Sequence, residues 1–89
     1  MKSILVTGAA QGFGRAIAES FAEAGWTVGA YDLDGDKVRG WAKHPNMIPG
    51  TLDVTDPDQW STTVADFAAR AGGINALINN CLLYTSDAA

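Results

Sequence analysis

Three glycines and a downstream carboxylate are the residues whose types and spacing suit the binding of a phosphate-linked nucleotide. Gly8, Gly12 and Gly14 follow the apolar run Ile4-Leu5-Val6 and precede a segment with helical periodicity. In this arrangement the helix N-terminus directs unpaired N–H groups and the positive end of its dipole towards an anion. Glycine there would permit the sharp turn, the approach of a diphosphate and close packing of the helix on the strand.

The order of these residues is T-G-x-x-x-G-x-G, from Thr7 to Gly14. This differs from the dinucleotide fingerprint G-x-G-x-x-G and, without a following Lys-Ser or Lys-Thr, from a P-loop. In this form it resembles the cofactor turn of the short-chain dehydrogenase/reductase family, and the resemblance runs from Lys2 to Asn80. It implies an NAD(P)-dependent oxidoreductase that moves a hydride between nicotinamide and a carbonyl or alcohol. Around the diphosphate it places Gly8, Gln11, Gly12, Phe13 and Gly14.

Asp32 ends the second predicted strand, eighteen residues after the last glycine of the turn. A carboxylate there can accept hydrogen bonds from both hydroxyls of an adenosine ribose, and it would repel a 2′-phosphate. Leu33 beside it carries no charge, so the sequence favours NAD over NADP as the cofactor. Arg15, near the turn, offers a cation that could bind a phosphate. The alternative is that Asp32 only caps the loop at 32–35.

Two further pairs of residues end strands at the same predicted edge of the sheet. The family resemblance implies that Asp53 hydrogen-bonds the adenine amino group and that Val54 packs on the ring. The alternative for Asp53 is that it only starts the following helical turn. The resemblance also implies that Asn80 lines the part of the cofactor pocket that holds the adenosine ribose. The family carries Asn-Asn-Ala-Gly here, whereas Cys81-Leu82 follows the two asparagines in this chain.

Predicted strands and helices alternate along the chain. Strands are predicted at Ser3–Thr7, Thr27–Tyr31, Met47–Leu52 and Ala76–Ile78, and helices at Gly12–Ala24, Gly35–Lys43 and from about Thr55 to Ala71. This alternation predicts an α/β fold, a Rossmann-type doubly wound parallel sheet with strand order 3-2-1-4. Two helices should cover one face and the third the other. Pro49-Gly50 favours an edge position for the third strand.

Two details of the helices are also predicted from the sequence. Phe13, Ile17, Phe21 and Ala24 recur at spacings of four, four and three, which predicts the apolar face of the first helix. Thr55 and Asp58 have the spacing of a capping box at the start of the third.

Composition excludes several classes of function. The net charge of −4 argues against a nucleic-acid or anionic-membrane partner. One cysteine cannot form an internal disulfide, and the acidic turn at 34–36 lacks the further ligands that a metal needs. The N-terminal apolar run is too short for a signal sequence, and no stretch approaches the length of a membrane span. We therefore expect one small cytoplasmic domain.

The chain is expected to be the N-terminal part, residues 1–80, of an NAD(P)-binding domain, truncated after its fourth strand. The resemblance implies that catalysis needs a Ser and a Tyr-x-x-x-Lys pair downstream of residue 80: the Tyr transfers the proton, the Lys lowers its pKa and the Ser orients the substrate oxygen. Here Tyr31 is followed four residues on by Gly35, and Tyr84 by Ala88. Neither tyrosine therefore belongs to such a pair. For the parent protein, the resemblance implies action on a small alcohol or carbonyl and assembly into homo-oligomers. The isolated chain should be marginally stable and inactive.

Residues 81–89, CLLYTSDAA, have no helical or strand period. Back-translated, they match a transposase-based sequencing adapter, so we expect a non-native tail produced by reading through into adapter.

Two alternatives to an oxidoreductase stay open. One is a non-catalytic module that binds or senses a dinucleotide on the same fold. The other is a free-standing small domain, which an incomplete sheet disfavours.

Overall fold

The computed structural model of the protein describes residues 2–80, so the predicted adapter-derived tail at 81–89 lies outside the described residues. The elements are β1 (Ser3–Thr7), α1 (Gly12–Glu23), β2 (Thr27–Asp32), α2 (Gly35–Trp41), β3 (Met47–Thr51), α3 (Pro57–Ala71) and β4 (Ala76–Asn79). The strands form one parallel sheet in the order β3-β2-β1-β4. This confirms the predicted Rossmann-type α/β sheet and the edge position of β3.

The central strand β1 brings three carboxyl ends together at one edge of the sheet. It pairs with β2 from Ser3–Thr27 to Thr7–Tyr31, and with β4 from Ile4–Ala76 to Thr7–Asn79. All five of its residues are buried, because a central strand of a parallel sheet is covered on both faces. The continuous apolar run in the sequence follows from that position.

Alternate side chains of β1 enter two separate cores. Ile4 and Val6 join a cluster with residues of α1 and α2, whereas Leu5 joins a cluster with Phe67 of α3. The predicted division of the helices between the two faces is therefore confirmed. In the second cluster, a Cβ added to Gly29 of β2 would lie 2.9 Å from the Phe67 ring. The absence of a side chain at Gly29 is what gives the Phe67 ring its space.

The predicted apolar face of α1 is wrong by one residue. The buried positions are Gly14, Ala18 and Ala22, while Phe13 is 80% exposed. Small residues on the inner face let the helix approach the sheet closely, and the larger Ile17 and Phe21 pack at its margin. Spacing alone favoured the bulky residues, but close packing requires the small ones.

The predicted capping box at the start of α3 is also wrong. The N-cap is Asp56, whose Oδ1 accepts hydrogen bonds from the backbone N–H of Asp58 at 3.0 Å and of Gln59 at 3.3 Å. Thr55 lies one residue earlier and donates its hydroxyl to Asp53 instead. Asp at the N-cap with Pro57 in the first helical position is a favourable combination, so the helix starts one residue later than the box requires.

Candidate cofactor site

The glycine turn after β1 depends on two residues with positive φ. Gly8 has φ +68° and Gly12 has φ +61°, a region that other L-residues rarely adopt. A Cβ added to Gly12 would meet no atom of the described residues within 4 Å, so the space in front of this backbone is open. A Cβ on Gly14 would overlap the carbonyl oxygen of Gly8 and lie 3.0 Å from the Cα of Ala9. Gly12 thus leaves room for a ligand, and Gly14 lets the helix pack on the turn.

The N-terminus of α1 is not completed by its own cap. Gln11 is the N-cap residue with extended backbone, but its side chain makes no capping bond to the helix. The first turn of the helix reads Gly-Phe-Gly-Arg and carries no acidic side chain. Gln11 therefore leaves the leading N–H groups of α1 without a side-chain cap, and the positive end of the helix dipole lies at this turn.

Three consecutive residues of the turn are bonded to the segment from β2 to α2. The N–H of Ala9 donates to the Tyr31 carbonyl at 3.0 Å, and the N–H of Ala10 donates to Asp32 Oδ2 at 3.1 Å. The ammonium of Lys37 donates to the amide oxygen of Gln11. These contacts hold the turn against the end of β2.

Asp32 is half-buried and its two carboxylate oxygens accept different bonds. Oδ2 accepts from Ala10 and Oδ1 accepts from the N–H of Asp34 at 2.9 Å. The loop-capping contact that the sequence left as an alternative is therefore present. It leaves both oxygens at the carboxyl edge of the sheet, so it does not exclude the predicted contact with a ribose. Leu33 next to it is 69% exposed.

The predicted adenine contacts lie after β3, at the neighbouring end of the sheet. Asp53 Oδ1 accepts from the hydroxyl of Thr55 at 2.6 Å and from its N–H at 3.0 Å. These bonds lower the pKa of the Asp53 carboxyl, the hydroxyl having the larger effect. Asp53 thus also starts the turn before α3, which was the alternative reading. Val54 is partly buried against the second core cluster.

The asparagines after Ile78 lie at the carboxyl end of the sheet, on the side of β1 opposite to β2. The Thr7 hydroxyl donates to Asn79 Oδ1 at 2.7 Å and ties the end of β1 to the end of β4. Asn80 follows directly and is half-buried. The sheet therefore brings Asn80, the glycine turn and Asp32 to the same edge, with Asp53 beyond β2.

Tyr31 has no place in proton transfer. Its side chain is buried in the second core cluster. Burial raises the pKa of the Tyr31 hydroxyl; the nearby Asp66 carboxylate raises it further, and the Arg70 guanidinium opposes both. A catalytic tyrosine needs the opposite shift, since it must exchange a proton near neutral pH.

Sequence reasoning placed one cation near the site and missed another. Arg15 pairs with Glu19 of α1 at 3.5 Å and lies 4.9 Å from the centre of the Trp41 ring of α2, so its guanidinium already has partners on both helices. Lys37, not considered from the sequence, contacts Gln11 in the turn. No periodicity or motif connects these two residues, which are 26 positions apart.

Comparison with known proteins identifies the family of the chain. The family model described as short chain dehydrogenase matches residues 2–87. This chain belongs to the short-chain dehydrogenase family. The family fits the observed sheet order and the glycine turn with its positive-φ residues.

The chain is similar to proteins named as a dehydrogenase and as a reductase. A sorbitol dehydrogenase of Cereibacter sphaeroides is 36% identical over 85 residues, covering 93% of this chain and 33% of the relative. A 3-oxoacyl-[acyl-carrier-protein] reductase of Thermotoga maritima is 37% identical over 84 residues, which cover 89% of this chain and 34% of the relative. The chain therefore spans about a third of the length of these curated relatives.

A solved dehydrogenase structure shares the fold. The hydroxysteroid dehydrogenase from Escherichia coli superposes with a TM-score of 0.82 at 25% identity, covering 88% of this chain and 35% of the other.

Across the part of the chain that the structure describes, no helix has the length and apolarity to cross a membrane. In the same residues, no three His, Cys, Asp or Glu side chains are grouped as metal ligands.

Proposed function

We propose that this chain is the cofactor-binding part of an NAD-preferring oxidoreductase of the short-chain dehydrogenase type. The observation that carries the proposal is the open backbone at Gly12, in front of the uncapped α1 N-terminus and bonded through Ala10 to Asp32. A diphosphate needs a backbone without a Cβ and with N–H donors, and both are present in one turn.

The residues present fit a dinucleotide at each of its parts. Gly8, Gln11, Gly12, Phe13 and Gly14 would surround the diphosphate. Asp32 and Leu33 would contact the adenosine ribose, Asp53 and Val54 the adenine, and Asn80 the adenosine side. The exposed apolar side chains of Phe13 and Leu33 support this, because they would lose contact with water when a ligand binds. When bound, the nicotinamide supplies or accepts the hydride.

The choice of NAD over NADP rests on the charge of Asp32. A carboxylate accepts the hydrogen bonds that ribose hydroxyls donate and repels a phosphate at the same position. Its bond from Ala10 fixes the carboxylate beside the turn. Arg15, the cation that left the preference open, is paired with Glu19.

The parent protein would act on a small alcohol or carbonyl in the cytoplasm, as a homo-oligomer. The similar proteins bear names of dehydrogenases and reductases, which favours hydride transfer over a non-catalytic sensing module. The sequence contains no Tyr-x-x-x-Lys pair. The 89-residue chain should therefore bind a dinucleotide without turning over substrate.

Equilibrium dialysis of the chain against radiolabelled NAD and NADP tests the proposal. We expect NAD to be retained more strongly than NADP. Asp32→Asn keeps an oxygen acceptor for the Ala10 N–H but removes the charge, so it should shift the preference towards NADP. Retention of neither dinucleotide would contradict the binding function. An unchanged preference in Asp32→Asn would contradict the role of the carboxylate.

A further inference from the structure

A small cavity lies between the end of α1, the end of α2 and the start of β3. Its volume is about 120 Å³, and it is lined by Glu19, Glu23, Trp41, His44 and Met47. The candidate cofactor site lies at the opposite end of α1, a 12-residue helix that is about 18 Å long. The cavity is therefore separate from the glycine turn, and the function proposed above does not use it.

The acids of this cavity lie where a helix favours bases. The last turn of α1 has no basic residue, and Glu23 is the final residue of the helix. By contrast, the last turns of α2 and α3 contain Arg39 and Arg70. A carboxylate at the negative end of a helix dipole is unfavourable, whereas a cation there is stabilised. A cation from outside the chain would therefore compensate the negative potential at the end of α1.

The chain itself neutralises only one of the two acids. Glu19 pairs with Arg15 at 3.5 Å, and the guanidinium of Arg15 lies 4.9 Å from the centre of the Trp41 ring. Glu23, one helical turn further on, makes no ion pair within residues 2–80. With His44 neutral, the carboxylate of Glu23 is the uncompensated charge among the residues that line the cavity.

A hydrogen-bond donor at the cavity also has no partner. The indole nitrogen of Trp41 is fully buried, and its N–H donates to no acceptor within residues 2–80. Buried donors are normally paired, because an unpaired one loses its bond to water without replacement. An oxygen atom in the cavity would supply the missing acceptor.

We propose that the cavity binds a small protonated amino alcohol, whose ammonium pairs with Glu23 and whose hydroxyl oxygen accepts from the Trp41 indole. A ligand of this class has one positive charge, which matches the one uncompensated carboxylate. Its few carbon atoms fit the volume and pack against Met47. A metal ion fits less well, because in the described residues no three His, Cys, Asp or Glu side chains are grouped as metal ligands.

NMR titration of the 89-residue chain with ethanolamine at neutral pH tests the proposal. The indole N–H cross-peak of Trp41, identified by its loss in Trp41→Phe, should move downfield as the N–H gains an acceptor. A ligand of so few atoms should bind with a Kd of about 1–10 mM, so the shift should saturate near about 100 mM. Sodium chloride at the same concentration controls for ionic strength. The absence of a saturable shift of this cross-peak would overturn the proposal.

Two analogues of ethanolamine separate the contribution of the charge from that of the hydroxyl. Propylamine replaces the hydroxyl by a methyl group, so it should bind about fivefold more weakly and leave the Trp41 indole cross-peak in place. Ethylene glycol has hydroxyl groups but no charge, and it should shift none of the backbone cross-peaks of residues 19–23. If either analogue binds as tightly as ethanolamine, the proposal is wrong.

Glu23→Gln and Asp66→Asn form a matched pair of variants. Glu23 is exposed, so Glu23→Gln should keep the fold, which the dispersion of the NMR spectrum checks. It should weaken ethanolamine binding about tenfold, because a charge-assisted hydrogen bond becomes a neutral one. Asp66→Asn makes the same change in net charge on α3 and should leave the affinity within twofold. An equal loss in both variants, or an unchanged affinity in Glu23→Gln, would overturn the proposal.

Discussion

The starts of α1 and α3 differ although both helices follow strands of the same sheet. At α3, the side chain of Asp56 accepts from two leading N–H groups, and Asp58 adds a negative charge in the first turn. At α1, the N-cap is an uncharged Gln11 and the first turn is rich in glycine. The sequence of α3 satisfies its own helix start, whereas that of α1 keeps its donors available for an anion.

The backbone at the two helices shows a second contrast. Gly12 begins α1 and Gly72 ends α3, and both have positive φ, +61° and +81°. A Cβ added at either position would meet no described atom within 4 Å. At Gly72 the conformation closes a helix, whose C-cap N–H donates to Ala68. At Gly12 the same conformation opens a helix towards the candidate ligand.

We expect the largest effect on the free energy of unfolding from Gly14→Ala. The new Cβ would lie 2.6 Å from the carbonyl carbon of Gly8, and neither piece of backbone can yield as a side chain does. We expect the free energy of unfolding to fall by about 3 kcal/mol, the upper range for overpacking. Gly40→Ala, in open space within α2, should instead raise it by up to about 1 kcal/mol. Chemical denaturation measures both; a neutral Gly14→Ala would contradict the close packing of α1 on the turn.

Gly12→Ala and Gly72→Ala should be equally costly in stability but not in binding. Each forces alanine into a left-handed conformation, at about 1–2 kcal/mol. Only Gly12→Ala places a methyl group where the diphosphate would lie, so it alone should weaken NAD binding, by at least tenfold. Parallel denaturation and dialysis measurements test this. Equal NAD affinities in the two variants would remove the functional difference between the two glycines.

Replacing the two N-cap residues sharpens the contrast between the helix starts. Asp56→Ala removes both capping bonds and should lower the free energy of unfolding by about 1 kcal/mol. Gln11→Ala removes no capping bond and should change it by less than half as much. Thermal unfolding compares them. Similar losses would indicate that Gln11 contributes to the stability of α1 as Asp56 does to that of α3.

The smallest effect concerns pH. The pKa of Asp53 is lowered from its ordinary value of 3.8, so its contribution to stability is present above that value and is lost as pH falls through the folded-state pKa. Thr55→Val removes the hydroxyl that is the largest single cause of the shift, and the pKa of Asp53 should rise towards 3.8. Carbon-13 NMR titration of the Asp53 carboxyl measures the change. An unchanged titration would assign the shift to the backbone N–H of Thr55 instead.

Local sequence patterns predicted most of the scaffold. The bounds of β1 were predicted because an apolar run meets Thr7-Gly8 abruptly, and the strand order followed from the alternation of elements. The start of α3 was not predicted correctly, because Asp53, Thr55 and Asp56 are all acceptable N-cap residues and only the folded backbone selects one of them. The contact of Lys37 with Gln11 was missed for a different reason: it depends on how α2 lies against the turn.

The bonds that join Ala9, Ala10 and Gln11 to the β2–α2 segment link parts of the chain that are far apart in sequence. Each joins residues 22 to 26 positions apart in the chain, so the turn cannot acquire its shape from local sequence alone. It becomes ordered when β2 docks beside β1. The conformational entropy of this loop is therefore lost during folding, and the nucleotide that we propose as ligand would meet a turn that is already ordered.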